Sequence, residues 1–176
     1  LASRRPVRPD PAVLATTQDR LVEKTFLVQR GIATARFAAV DSAPSLHAAV
    51  HTIGLPAVLK TRRFGYDGKG QSMLRSTGDL DRAWDAIGRQ PAILEAFVPF
   101  SKEVSVVVAR GLDGVVVSYD VTENEHRDHI LKISRAPAEV TPAVAAAARR
   151  IAEQLVSAFA YVGVMGVEMF IAADEA

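Results

Sequence analysis

The sequence predicts an α+β fold, and three observations carry that prediction. Its β-rich runs come in neighbouring pairs, one pair is joined by "GLDG" at 111–114 as a hairpin would be, and helices do not alternate regularly with strands. At 176 residues and 49% hydrophobic content, the chain fits roughly one domain with ample material for a packed core.

The elements follow in order. Residues 1–11, "LASRRPVRPDP", hold three prolines and three arginines and read as an extended linker. A helix is expected from Thr17 to Arg30, where Leu21, Val22, Phe26 and Val28 recur at near-helical spacing and Gly31 marks the stop. A second helix runs from Pro44 to Ile53, with proline in its first turn and Gly54 after its end. Strand "AVLKT" leads into a basic loop and strand "QSMLR" leaves it. A helix from Gly78 to Ile87, opened by Ser76 or Thr77, then precedes strand "AILEAFV". The second half opens on the hairpin runs "KEVSVVVARG" and "DGVVVSYDV", and "HILKISRAP" is a third strand. An alanine-rich helix from Pro142 to Phe159 should bury Val144, Ala148, Ile151, Leu155 and Phe159, and "VGVMGVEMFIA" reads as a closing buried strand.

Composition limits the function. Lysine and arginine number 21 against 20 acids, so no global basic field recruits nucleic acid, and any phosphate affinity must be local. The absence of cysteine excludes a disulfide framework, thiolate metal sites and cysteine nucleophiles. No apolar run approaches the roughly 20 residues of a membrane span, and the expectation is a soluble cytoplasmic protein without membrane partners. The ends, Leu1 and "FIAADEA", read as cut.

The loop "KTRRFGYDGKGQ", residues 60–71, concentrates charge: Lys60, Arg62, Arg63 and Lys69 stand among Gly65, Gly68 and Gly70. Such glycines let backbone approach a ligand closely, and a phosphate is the obvious candidate. A solvated hairpin turn at Asp67-Gly68 is the equal alternative. The glycine spacing fits neither a Walker loop nor a dinucleotide fingerprint. Three carboxylates, Glu95, Glu103 and Glu168, sit within apolar strands. Glu168, flanked by apolar residues, needs a partner, a metal or a face that opens into a cleft unless it is a solvent-facing strand position, and Glu95 and Glu103 each alone suit an exposed strand position; together with the loop they suggest a cleft with phosphate-binding cations at one end and magnesium-binding oxygens at the other. "TENEHRDH", 122–129, reads as a polar loop near a ligand, since His126 and His129 match no strong zinc spacing. His47 and His51, one turn apart on a helix, read as a surface pair.

The segments "LPAVLKTRRFGYDGKGQ", "ILEAFVPFSKEVSVVVAR", "YDVTENEH", "HILKISRAP" and "YVGVMGVEMF" occur in an order and spacing that resembles the ATP-grasp region of the 5-(carboxyamino)imidazole ribonucleotide synthetases of purine biosynthesis. The resemblance implies an ATP-grasp fold of two mainly antiparallel lobes with packed helices over residues 12–176, a small lobe at 36–97 and an incomplete large lobe at 98–176. A dinucleotide-like domain would precede it, and a segment bearing a second magnesium ligand would follow. It implies an ATP-dependent carbon–nitrogen ligase acting on bicarbonate and 5-aminoimidazole ribonucleotide, with ATP and Mg2+ as cofactors, working as a homodimer when full length. Arg20 and Lys60 then resemble ligands of the ATP phosphates, and Gly65, Tyr66, Asp67, Gly68, Lys69, Gly70 and Gln71 a closing flap. Glu95, Ala96, Phe97 and Val98 resemble the hinge that meets adenine, Glu103 a ribose ligand, His126 a further nucleotide contact and Glu168 a magnesium ligand. Lys60, Tyr66 and Lys69 are the expected catalytic set, with Tyr66 and Lys69 also holding the imidazole ribonucleotide. Phe64 and His129 depart from the pattern, since glycine is usual at both. The alternatives are another ATP-grasp ligase, of the formate-dependent purine transformylase or biotin carboxylase type, and a non-catalytic nucleotide-binding module.

Overall fold

The computed structural model describes residues 5–65 and 68–173. Among the described residues a short helix, α1 (Pro11–Thr17), comes first, and the chain divides into two compact units: Thr16–Val98, and residues 99–173 together with residues 5–15. The sequence places Pro11 at the end of a linker and Thr17 at the start of a helix, and gives no element between them, so α1 is an addition. Asp19, in extended conformation, separates α1 from α2 (Arg20–Gln29).

The Thr16–Val98 unit is built on a four-stranded antiparallel sheet. After α2 come β1 (Phe37–Val40), α3 (Ala43–Ile53), β2 (Ala57–Thr61), β3 (Gln71–Leu74), a 3-10 turn at Thr77–Asp79, α4 (Leu80–Ala86) and β4 (Ala92–Ala96). The strand order is β1-β4-β2-β3, so β4 is clasped by β1 and β2. Sequence reading missed β1: four residues, "FAAV", carry too little periodicity to declare a strand. By contrast α3 is punctuated at both ends. Ser42 and Ser45 close a reciprocal cap at its start, and Gly54 follows its end with φ +87°. One face of the sheet packs with α3 and α4 into a core that includes Val40, Leu46, Leu59, Leu74, Trp84 and Leu94. Burying each aliphatic side chain of this size contributes roughly 1.5–3 kcal/mol.

In the second unit the long β5 (Phe100–Arg110) is central. It pairs along one edge with β9 (Gly163–Ala172); its other edge is shared by β6 (Val116–Ser118) and β7 (Thr122–Arg127), and β8 (Ile130–Arg135) lies beyond β7. The hairpin through 111–114 forms as expected. "TENEHR", read from the sequence as loop, is strand β7: its polar side chains sit on a half-open sheet, where pairing with β5 and β8 and not hydrophobicity fixes the backbone. Helix α5 (Pro142–Ala158) covers one face, and Ala148, Ala152 and Val156 meet Val104, Val106, Val108, Val167 and Ile171. The buried stripe is therefore rotated by about one residue from the expected one, with small alanines letting the helix lie close to the sheet. Strand β9 is half-buried rather than buried throughout: its side chains alternate, and Val164, Glu168 and Phe170 face outward.

Candidate functional site

The Thr16–Val98 unit gathers its charge where the basic loop meets α2. Asp19 caps α2, its Oδ1 accepting from the N–H groups of Leu21 and Val22 at 3.1 and 3.4 Å. It is only 2% exposed, and a carboxylate so buried demands counter-charge. Arg62 supplies it with two bonds, Nε to Oδ1 at 2.9 Å and Nη2 to Oδ2 at 2.8 Å, and Arg63 adds Nε to Oδ2 at 3.2 Å. Burial pushes the Asp19 pKa up, but the bonds from Arg62 and Arg63 outweigh it and hold the value down at about 2. Sequence reading had counted Arg62 and Arg63 as cations awaiting a phosphate; both are paired with Asp19. The residue responsible lies 43 positions from Arg62, and its only local sign was an aspartate ahead of a helix.

Arg20 holds the loop's base. Its backbone N–H donates to the Arg62 carbonyl at 2.9 Å, and its guanidinium donates to the carbonyls of Thr61 at 2.9 Å and Gly65 at 3.1 Å. Gly65 is required by this approach: a Cβ there would stand 3.0 Å from both Arg20 Nη2 and the Lys69 carbonyl. Gly70 closes the far side, accepting the Thr61 N–H at 2.8 Å from a backbone at φ +70° that leaves 2.7 Å between a built Cβ and Thr61 Oγ1. Gly68 and Lys69 complete the turn into Gln71, which pairs with Lys60; Tyr66 and Asp67 lie outside the described residues. Phe64, 91% exposed, sits in the left-handed region at φ +62°, which accounts for the usual glycine there.

Lys60 points to a buried carboxylate. Its Nζ donates to Glu95 Oε2 at 2.9 Å from the neighbouring strand, and Lys24 Nζ stands 3.6 Å from the same oxygen while donating to Thr34 Oγ1 at 2.7 Å. Glu95 is 6% exposed, not the surface strand residue its type alone suggested. Burial pushes the Lys24 pKa down against the pull of Glu95, and pushes that of neighbouring Glu23 up against Lys24 and Arg20. Past Glu95, the Ala96 and Phe97 N–H groups donate to the carbonyls of Arg36 and Pro56 at 2.8 and 3.1 Å. The Val98 amide makes no backbone hydrogen bond among the described residues.

In the second unit, Glu103, His126 and Glu168 share the sheet face turned away from α5. Glu103 Oε2 meets His126 Nδ1 directly. Glu168 is opposite Ser105 in register and exposed. Between them runs a polar chain: Ser134 Oγ donates to Asn124 Oδ1 at 2.8 Å, Asn124 Nδ2 to Ser105 Oγ at 2.9 Å, and Ser105 and Thr122 hydroxyls lie 2.6 Å apart. Among the described residues no three His, Cys, Asp or Glu side chains converge as a metal cage, and no helix is long and apolar enough to cross a membrane. His129 lies in the exposed β7–β8 turn, and His47 and His51 are exposed on α3.

A cationic loop base beside a paired lysine in one unit, and carboxylates on an open antiparallel sheet in the other, set a definite comparison. The profile of the ATP-grasp domain family matches residues 25–176. The chain belongs to the ATP-grasp family. Within it, a Brucella melitensis protein named N5-carboxyaminoimidazole ribonucleotide synthase is 47% identical over 176 residues, covering 99% of this chain and 49% of that protein. The chain thus spans about half the length of such curated relatives. The Thermus thermophilus N5-carboxyaminoimidazole ribonucleotide synthetase structure superposes on this ATP-grasp chain with a TM-score of 0.91 at 39% identity, covering 99% of it and 47% of the Thermus chain. An Aspergillus clavatus N5-carboxyaminoimidazole synthase in complex with ADP and 5-aminoimidazole ribonucleotide gives a TM-score of 0.90 at 29% identity, covering 99% and 46%.

Proposed function

We propose that this chain is the nucleotide-gripping part of an ATP-dependent carboxylase that converts bicarbonate and 5-aminoimidazole ribonucleotide to the 5-(carboxyamino) product in purine biosynthesis. The observation that carries the reading is the Lys60–Glu95 pair beside the Arg20-held glycine loop. It places an ammonium and a guanidinium at the root of the glycine-rich segment that in this reading covers phosphate. The 47% identity to the Brucella synthase and the ligands of the Aspergillus enzyme support the choice of reaction.

In this reading Arg20 and Lys60 hold the ATP phosphates, residues 65–71 close over them, and the segment from Glu95 to Val98 meets adenine, with the Val98 N–H as donor. Glu103 takes the ribose hydroxyls and His126, held by Glu103, completes the nucleotide contact. A bicarbonate oxygen attacks the terminal phosphorus, breaking the bond to ADP and giving carboxyphosphate. The exocyclic amine of the aminoimidazole then attacks the carboxyl carbon, phosphate leaves, and the amine loses a proton. Positioning and charge neutralisation suffice for such transfer, and closure of the flap keeps water from carboxyphosphate. Tyr66 and Lys69 are assigned to the imidazole ribonucleotide. Glu168, an exposed carboxylate on the same sheet face as Glu103, fits one oxygen position of a magnesium ion. Magnesium would supply charge neutralisation at the phosphates.

The protein is taken to work as a cytoplasmic homodimer, which sedimentation tests. For the reaction, ATP cleavage by the intact protein is measured with bicarbonate and each candidate acceptor. Cleavage dependent on 5-aminoimidazole ribonucleotide is expected. Cleavage that instead follows formate and a formylatable purine precursor, or biotin, would move the protein to another ATP-grasp ligase, and no cleavage with any acceptor would leave a nucleotide-binding module.

A further inference from the structure

We infer that Lys24 is a positioning residue that acts through Glu95 to keep Lys60 available to phosphate, an inference that rests on the reading of Lys60 as a phosphate ligand. The difficulty it answers is electrostatic. Lys60 lies 2.9 Å from a carboxylate that is 6% exposed, and an isolated pair of that kind is neutral and self-satisfied, with nothing left to attract an anion. Lys24 changes the balance by standing 3.6 Å from the same oxygen, Oε2. Two ammonium groups on one carboxylate leave a net positive charge. Glu23 also faces Lys24 and is in turn faced by Arg20, so Lys24, Lys60 and Arg20 together outnumber Glu23 and Glu95 by one positive charge.

Lys24 is fixed for this role. Its side chain is 16% exposed, and Nζ is anchored at 2.7 Å on the Thr34 hydroxyl, which ties it beside Glu95 rather than leaving it to swing to solvent. An arriving phosphate can therefore draw Lys60 away while Lys24 stays to neutralise Glu95. Without Lys24 the same movement would strand a buried carboxylate.

The test measures magnesium–ATP binding to the intact protein by calorimetry, with melting temperature as the control for folding. Lys24→Met should raise Kd about tenfold at little change in melting temperature, because Lys60 must then leave a buried carboxylate with no second cation to meet phosphate, and Lys24→Arg should recover most of the affinity. In a Glu95→Gln background the same Lys24→Met change should cost less than about threefold, because no carboxylate remains to be neutralised. Thr34→Val, which removes only the anchor, should raise Kd by about threefold and covers the case in which Lys24→Met folds poorly. Unchanged Kd in Lys24→Met and Thr34→Val, with Lys60→Met impaired, overturns the inference alone. An equal cost of Lys24→Met with and without the Glu95 charge overturns its route through Glu95. Failure of the unaltered protein to bind magnesium–ATP overturns the reading beneath it.

Discussion

Asp19 concentrates more consequence than any other single residue, because it caps α2 and neutralises Arg62 and Arg63 at once. Its folded-state pKa, about 2, lies below the ordinary 3.8, so the stabilisation is full above about pH 4 and is lost as pH falls toward 2. Asp19→Asn keeps the cap but not the charge. It should cost about 1–2 kcal/mol at pH 7 by denaturant unfolding, with the gap to the unaltered protein closing near pH 2. Lys60→Ala should raise the KM for ATP and lower kcat together, a combined loss on the order of 2 kcal/mol, because an ammonium facing phosphate acts before and during transfer. Unchanged steady-state kinetics would remove Lys60 from the site. Glu168→Gln, nearly isosteric and at an exposed position, should leave the melting temperature unaltered while abolishing bicarbonate-dependent ATP cleavage. A plain surface residue would be silent in both assays.

At the scale of elements, the β7–β8 turn shows how a departure from a family pattern acquires a physical reading. Asp128 and His129 both have positive φ, 53° and 61°, and Arg127 pairs with Ile130, so the strands are joined by a two-residue turn that needs left-handed backbone twice. Glycine takes the second of these positions without the strain that an imidazole-bearing residue meets. His129→Gly should therefore stabilise the protein by about 1 kcal/mol, read as a melting temperature higher by roughly 2–4 °C. What was legible in the sequence divides along the same line of locality. Helix α3 and strand β2 declared themselves through Pro44, Gly54 and the apolar run Ala57–Leu59, all within a few positions of one another. Strand β7 did not, because its polar residues are set in place by strands β5 and β8, and neither did the outward-facing half of β9. The loop at 60–71 was visible as a cluster of glycine and charge. That Asp19 would claim two of its four cations depended on a contact across 43 residues, which no local pattern records.

For the whole molecule, each of the two units has its own hydrophobic core, and the order in which those cores can be completed differs. Every strand of the four-stranded sheet lies between residues 37 and 96, so its partners are all present once that stretch has been made. The central strand β5 is in another position: the neighbour that lines its whole length, β9, begins more than fifty residues after β5 ends. At a synthesis rate of about 5–20 residues per second, β5 waits on the order of 3–10 seconds with one row of peptide groups unpaired, and Val104, Val106 and Val108 are uncovered until α5 follows. The nascent chain thus carries an apolar, pairing-competent ribbon for seconds after its first half is able to fold. Released chains truncated near residue 140 should show protease resistance in the unit within 16–98 and cleavage within 100–135, and should bind holdase chaperones more strongly than chains that extend through β9.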